Sequence, residues 1–156
     1  MGAKQEVILI DTNIFVIDLR YKRDSNYKVN REFLSAAAQS GNGFTTIVNL
    51  LELCGILSFN LNQSQLFDLW NYFQDQYKIT VLPEPNFQSA FPEMKISKLF
   101  DILCKKTSLG DALMMTVANK HLAFVKTMVT WDSEHFKDRY SGKVLTPNEL
   151  SLIHIS

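Results

Sequence analysis

The sequence predicts an α/β fold with a mostly parallel central sheet, and three observations support this prediction. Short apolar segments alternate with segments of helical spacing along the chain, which is typical of strands joined by helices. Residues 7–10 are apolar throughout, and such strands suit a parallel sheet that helices cover on both faces. The 156 residues contain no repeat and no linker, so we expect a single domain over residues 1–156.

Two strands and four helices are predicted in the first half of the chain. β-Branched and apolar runs predict the strands, and apolar residues at helical spacing predict the helices. Gly41–Gly43 is expected to end the second helix, and Thr45 or Thr46 is expected to cap the third. The predicted strands are residues 6–10 and 44–46, and the predicted helices are residues 14–20, 29–40, 47–58 and 62–77.

Prolines and a capping pattern divide the second half of the chain. Pro92 interrupts the apolar pattern of residues 83–107, so two helices are expected there. Ser108 and Asp111 have the spacing of a capping box, which predicts the start of a helix. The other predicted elements are strands at residues 78–82, 127–132 and 143–146, and helices at residues 108–122 and 133–140.

The composition limits the kind of protein that this chain encodes. Its 16 basic and 16 acidic residues cancel, so any contact with nucleic acid must depend on local patches or on a metal. The chain lacks the apolar stretch of a signal peptide, and no apolar run approaches the roughly 20 residues of a membrane span. We therefore expect a cytoplasmic protein without membrane association, whose two cysteines are buried, reduced thiols.

Two predicted strands end in a carboxylate. Asp11 follows the apolar run of the first strand, and Asp132 ends the strand that begins at Thr127. Ligands of open α/β sheets bind outside the carboxyl ends of the strands, so the two acids are candidates for one functional site. The alternative is that each acid caps the helix that follows it, because Asp is favoured at that position.

Glu52 is a carboxylate within the apolar segment TTIVNLLELCGIL. Its neighbours on the same helical face are Val48, Asn49, Gly55 and Ile56. A carboxylate is rarely buried among such residues without a partner, and no Lys or Arg lies between Arg31 and Lys78. We therefore interpret Glu52 as a functional acid, with an ordinary solvent-exposed helix edge as the alternative.

Asp111 completes a set of four candidate acids, although it could equally serve only to cap its helix. Two unit charges 4 Å apart repel by about 4 kcal/mol at an effective dielectric of 20. If the acids converge, some must be protonated or a cation must neutralise them. Oxygen ligands favour Mg²⁺ or Mn²⁺ over zinc, and such ions serve phosphodiester hydrolysis.

Four segments of the chain resemble motifs of the PIN-domain ribonucleases, and in particular the toxins of prokaryotic VapC-type toxin–antitoxin pairs. The resemblance extends from Val7 to about Leu150 and keeps the order of the family's motifs. Each motif is weak alone, whereas the four together are fairly specific. The segments are VILIDTNIF, TTIVNLLELCG, LGDALMMTVANKHLA and MVTWDSEHF.

The resemblance implies a PIN-like three-layer α/β/α sandwich and a metal-dependent endoribonuclease. The catalytic acids, which would bind Mg²⁺ or Mn²⁺, would be Asp11, Glu52, Asp111 and Asp132. As an alternative to metal binding alone, one of these acids would also act as a general base. Asn13 and Thr130 would be polar supports of the site. RNA would be the substrate, a protein antitoxin would inhibit the enzyme, and the protein would form a homodimer. PIN domains also serve RNA processing, which is the alternative role.

Basic residues at two places are candidates for binding RNA phosphates. The first group precedes Tyr27, which could stack on a base, and the second precedes the helix of Asp111. Both groups could equally be solvated surface charges. The candidates are Arg20, Lys22, Arg23, Lys105 and Lys106.

The fourth motif departs from the shorter family pattern, because Glu134 and His135 stand before Phe136. Either residue could join the acidic site. Two other functions remain open on the sequence alone. A phosphatase with an aspartate nucleophile would need a second Asp where Asn13 stands, which argues against it. A non-catalytic α/β binding module would use the acids only as caps and surface charges.

Overall fold

The structure is a computed structural model that describes residues 6–155, with side chains through residue 151. Strands and helices alternate as the sequence predicts. The strands are β1 (Ile8–Ile10), β2 (Gly43–Thr46), β3 (Thr80–Leu82), β4 (Thr127–Val129) and β5 (Lys143–Leu145). The helices are α1 (Thr12–Arg20), α2 (Tyr27–Ser40), α3 (Ile47–Leu57), α4 (Gln63–Tyr77), α5 (Ile96–Leu103), α6 (Leu109–His121), α7 (Ser133–Phe136) and α8 (Pro147–Ile155).

The five strands form one sheet in the order β3-β2-β1-β4-β5, and every pairing in it is parallel. β1 lies in the centre, where Leu9 pairs with Phe44 of β2 and Ile10 pairs with Val129 of β4. The three residues of β1 are at most 2% exposed, as expected for a strand covered on both faces. The carboxyl ends of β1, β2 and β4 therefore lie side by side at one edge.

Helices flank this sheet and complete the three-layer α/β/α architecture that the sequence predicts. The apolar core includes Phe15 and Phe73, whose rings meet edge to face with centroids 4.8 Å apart. Among the described residues, no helix is both long and apolar enough to cross a membrane.

Two predicted features of the second half of the chain are wrong. Residues 83–107 contain one helix, α5, instead of two, because three prolines at 83, 85 and 92 leave the first part irregular. Helix α8 is absent from the prediction, which treated Pro147 as the end of a strand and nothing more. Proline also favours the first position of a helix, and Thr146 and Glu149 cap α8 reciprocally.

The cysteines also differ from the prediction. Cys54 is half-buried in α3, and burial raises the pKa of its thiol. Cys104 follows α5 and is exposed, so the expectation of two buried thiols is wrong for this residue.

Candidate acidic site

Asp11 lies directly after β1 and still belongs to the sheet, because its N–H donates to the carbonyl of Val129 at 3.0 Å. It occupies the N-cap position of α1, but its carboxylate makes no cap hydrogen bond. Only 7% of the residue is exposed. The alternative of a simple helix cap therefore does not account for this carboxylate.

The hydroxyl of Thr130 holds the carboxylate of Asp11. It donates to Asp11 Oδ2 at 2.8 Å and accepts from the Asn13 side-chain amide at 3.1 Å and the Asp132 N–H at 3.0 Å. Asn13 in turn accepts from the N–H of Trp131 at 3.3 Å. Thr130 is fully buried. The structure thus brings both predicted supporting residues, Asn13 and Thr130, into one network with Asp11.

Asn49 is a polar contact of the site that the sequence interpretation missed. It completes a reciprocal capping box with Thr46 at the start of α3. Its side-chain amide also donates to Thr12 Oγ1 at 3.0 Å and lies 3.4 Å from Asp11 Oδ1. The T-x-x-N spacing after β2 is the sequence signal that could have indicated this residue.

The charges of Glu52 and Asp111 reach Asp11. Burial raises the pKa of Asp11 to about 6, hydrogen bonds from Thr130 and Thr12 oppose this rise, and Glu52 and Asp111 add to it. Glu52 also faces the start of α6, since a Cβ atom on Gly110 would lie 3.4 Å from Glu52 Oε2. Asp11, at the N-cap of α1, therefore lies within electrostatic reach of Glu52 on α3 and of Asp111 in the first turn of α6.

The environment of Glu52 differs from the one expected. The sequence led us to expect Glu52 in apolar surroundings, whereas the structure shows it exposed, which is the alternative that the sequence left open. Its apolar neighbours in sequence pack on other sides of α3, where Leu50 and Leu53 are at most 1% exposed. Glu52 thus lies on a solvent-exposed face that also borders the site.

Asp132 does not end a strand as predicted, because β4 ends at Val129, and the residue lies three positions beyond it at the rim of the site. Its backbone N–H joins the Thr130 network, but the residue is exposed and its side chain makes no cap bond to α7. Glu134 points away and pairs with Lys137 at 2.8 Å. His135, by contrast, contacts the site, because its Nε2 lies 2.9 Å from Asp111 Oδ2.

The candidate RNA-binding residues fall into two places. Arg20, Lys22 and Arg23 lie at or beyond the end of α1, and its nine residues put them roughly 13 Å along the helix from Asp11. Lys105 and Lys106 are exposed between α5 and α6, two to three residues before the cap of the Asp111 helix. The second group is therefore nearer in sequence to Asp111.

The donor set of the site suits a divalent cation. Asp11, Glu52 and Asp111 offer carboxylate oxygens, the ligand type that Mg²⁺ and Mn²⁺ prefer, and burial together with the charges of Glu52 and Asp111 raises the pKa of Asp11. Among the side chains that the structure describes, through residue 151, no three of His, Cys, Asp or Glu stand close enough to hold an ion together.

No protein-family model matches the sequence, and no curated protein matches it. Solved structures do match the chain, and each of the three described below covers 90% of it. A chain of FitAcB from Neisseria gonorrhoeae has a TM-score of 0.59 at 17% identity, with 98% of that chain covered. A chain of VapBC2 from Rickettsia felis, bound to a DNA fragment from their promoter, has a TM-score of 0.57 at 18% identity, with 98% covered.

A chain of FitAB bound to the IR36 DNA fragment is also similar, with a TM-score of 0.54, 16% identity and 95% of that chain covered. The chain shares its fold with these proteins. The PIN-like architecture expected from the sequence motifs is thereby confirmed.

Proposed function

We propose that the protein is a metal-dependent endoribonuclease that hydrolyses RNA phosphodiester bonds and acts as a VapC-type toxin. The observation that carries this proposal is the buried carboxyl of Asp11 at the end of the central strand. Burial, together with the nearby charges of Glu52 and Asp111, raises the pKa of this carboxyl to about 6. A carboxyl in this environment gains from a cation, which fits the chemistry of the family that the four sequence motifs resemble.

The residues have distinct parts in this proposal. Asp11, Glu52 and Asp111 would hold Mg²⁺ or Mn²⁺, and Asp132 would approach from the rim. A bound ion would activate a water for attack on the phosphorus and offset charge on the leaving oxygen. Thr130 fixes the carboxylate of Asp11 by donating to Oδ2, and Asn13 orients the hydroxyl of Thr130.

Lys105 and Lys106 are the basic residues best placed to bind the RNA backbone near the acids, because they precede the helix of Asp111. Arg20, Lys22 and Arg23 would at most contact a more distant part of the same strand. Both roles stay predictions. Loss of Lys106 would be expected to weaken RNA binding more than loss of Lys22.

The toxin role is supported by the name of one structural neighbour, VapBC2, which is of the type that the sequence motifs resemble. A protein antitoxin is the partner that this role requires, and the cytoplasm is where both would act. Exposed apolar residues support the proposed homodimer, since Ile96 and Phe100 of α5 are 84% and 61% exposed. Sedimentation of Phe100→Glu against wild type would test the dimer.

Cleavage of labelled total RNA tests the enzymatic proposal. The wild type is expected to cut RNA with Mg²⁺ or Mn²⁺ and to be inactive in EDTA. Asp11→Asn is expected to be folded and inactive. Asp75→Asn, an exposed acid of α4, is the matched control and should remain active. Full activity of Asp11→Asn, or activity in EDTA, would refute the assignment.

Expression in a bacterial host distinguishes a toxin from an RNA-processing enzyme. The wild type should arrest growth, Asp11→Asn should not, and co-expression of an adjacent small reading frame should restore growth. Cleavage without growth arrest would favour RNA processing. A folded wild type that neither cleaves RNA nor gains thermal stability with Mn²⁺ would favour a non-catalytic binding module.

A further inference from the structure

His135 lies at the acidic site although the sequence pattern of PIN-domain acids does not include it. Its Nε2 is 2.9 Å from Asp111 Oδ2, and the two side chains are 29% and 25% exposed. A carboxylate oxygen only accepts hydrogen bonds, so Nε2 carries the hydrogen and donates it. The contact joins α7 to the start of α6, and 24 residues separate the two partners.

The carboxylate of Asp111 is directed to His135 and not back to its own helix. Ser108 caps α6 by accepting from the Asp111 N–H at 3.2 Å. In the part of the chain that the structure describes, α3 and α4 have reciprocal capping boxes, whereas α6 has only this half of one. The Asp111 side chain therefore does not make the capping contact that the sequence suggested, and Ser108 supplies the only half of the box that forms.

Contacts on several sides fix the place of His135. Its ring lies edge to face on Phe136, with centroids 5.0 Å apart, and Phe136 is 2% exposed. Its carbonyl accepts a hydrogen bond from the guanidinium of Arg139. Arg139 also donates to the carbonyl of Lys105 at 2.9 Å, which connects α7 to the loop before α6. The imidazole is therefore held where Asp111 needs a donor.

We propose that His135 is a positioning residue of the metal site, which holds Asp111 Oδ2 and leaves Oδ1 to bind a divalent cation. This inference rests on the proposed function. Ordering a carboxylate before the ion arrives reduces the conformational entropy that binding must overcome. Outer partners of metal ligands commonly contribute 10–100-fold to metal affinity. His135 would act through Asp111 and would not contact the RNA.

Two substitutions of His135 test this geometry, because both place a side-chain amide there but at different distances from the backbone. The side-chain amide nitrogen of His135→Gln can occupy the place of imidazole Nε2, whereas that of His135→Asn stops at the place of Nδ1. Mn²⁺ affinity is measured by calorimetry on the full chain, with melting in EDTA as the folding control. His135→Gln should bind Mn²⁺ within a few-fold of wild type, and His135→Asn should bind roughly 10–100-fold more weakly.

The outcomes separate the inference from the function on which it rests. Unchanged or tighter Mn²⁺ binding by folded His135→Asn would overturn the role of His135 alone. Equal loss in both variants would also overturn it, because reach would then not matter. If the wild type did not bind Mn²⁺ and Asp11→Asn did not change RNA cleavage, the metal-dependent function would be overturned together with this inference.

Discussion

Replacing Asp11 by asparagine should stabilise the metal-free protein at neutral pH. Asn has the shape of Asp and can still accept the hydrogen bond from Thr130, but it carries no charge. The charged carboxylate is disfavoured in the fold because it is buried near Glu52 and Asp111. The substitution removes this unfavourable charge and keeps the packing of the core.

The magnitude follows from the pKa of Asp11, which rises from 3.8 to about 6 on folding. At about 1.36 kcal/mol per pKa unit, ionisation costs the fold about 3 kcal/mol above pH 6. The folded state holds its proton more tightly, so wild-type stability falls as the pH rises from about 4 to about 6. Below pH 4 both states are protonated and the cost disappears.

Urea unfolding of the wild type and of Asp11→Asn, in EDTA from pH 4 to 7, measures this cost. Asp11→Asn should match the wild type near pH 4 and exceed it by up to about 3 kcal/mol at pH 7. Asp75→Asn is exposed and should show no such pH-dependent gain. The reasoning is refuted if Asp11→Asn is less stable than the wild type at pH 7, or if its advantage does not change with pH.

Four further substitutions have expected effects on the free energy of unfolding, each measurable by urea denaturation. Gly55→Ala should stabilise α3 by about 1 kcal/mol, because the new Cβ would meet no atom within 4 Å outside its own helix backbone. Gly142→Ala should instead destabilise the protein, because its Cβ would lie 2.3 Å from the backbone oxygen of Lys126. Equal effects of the two substitutions would contradict this reasoning. Tyr77→Phe should cost about 1–3 kcal/mol because buried Asp18 loses a donor at 2.6 Å. Thr130→Val should cost about 1–3 kcal/mol because its hydroxyl takes part in three hydrogen bonds.

The sheet could be predicted because its strands are short apolar runs next to clear turn signals. The segment from residue 83 to residue 95 could not, since its aromatic and apolar residues imitate helical spacing while its prolines prevent a helix. Phe87 instead packs on Trp70 of α4, with ring centroids 5.0 Å apart. Such a contact depends on tertiary packing, which spacing along the chain does not report.

The candidate acids could be selected from the sequence because they stand at element ends or in apolar sequence, and their role as metal ligands stays a prediction. Their surroundings could not be predicted, and the exposure of Glu52 shows why. A helix has several faces, and apolar neighbours in sequence do not tell which face a carboxylate takes. Asn49 was missed for a related reason, and His135 could be named from the sequence only as a residue that could join the site, without its partner Asp111. Each acts on an acid more than 20 residues away, and only the packed fold sets that distance.

If Mn²⁺ binds at these acids as proposed, its gain at about 100 times its dissociation constant would be similar in size to the cost of ionised Asp11. An ion present at 100 times its dissociation constant stabilises a protein by about 2.7 kcal/mol, and the buried charge costs about 3 kcal/mol at neutral pH. Wild-type protein with Mn²⁺ at about 100 times its dissociation constant should therefore melt close to metal-free Asp11→Asn, and Mn²⁺ should add little to Asp11→Asn. If the acids did not bind a metal ion, Mn²⁺ would not raise the melting temperature of the wild type toward that of Asp11→Asn, because no ligand would offset the buried charge of Asp11.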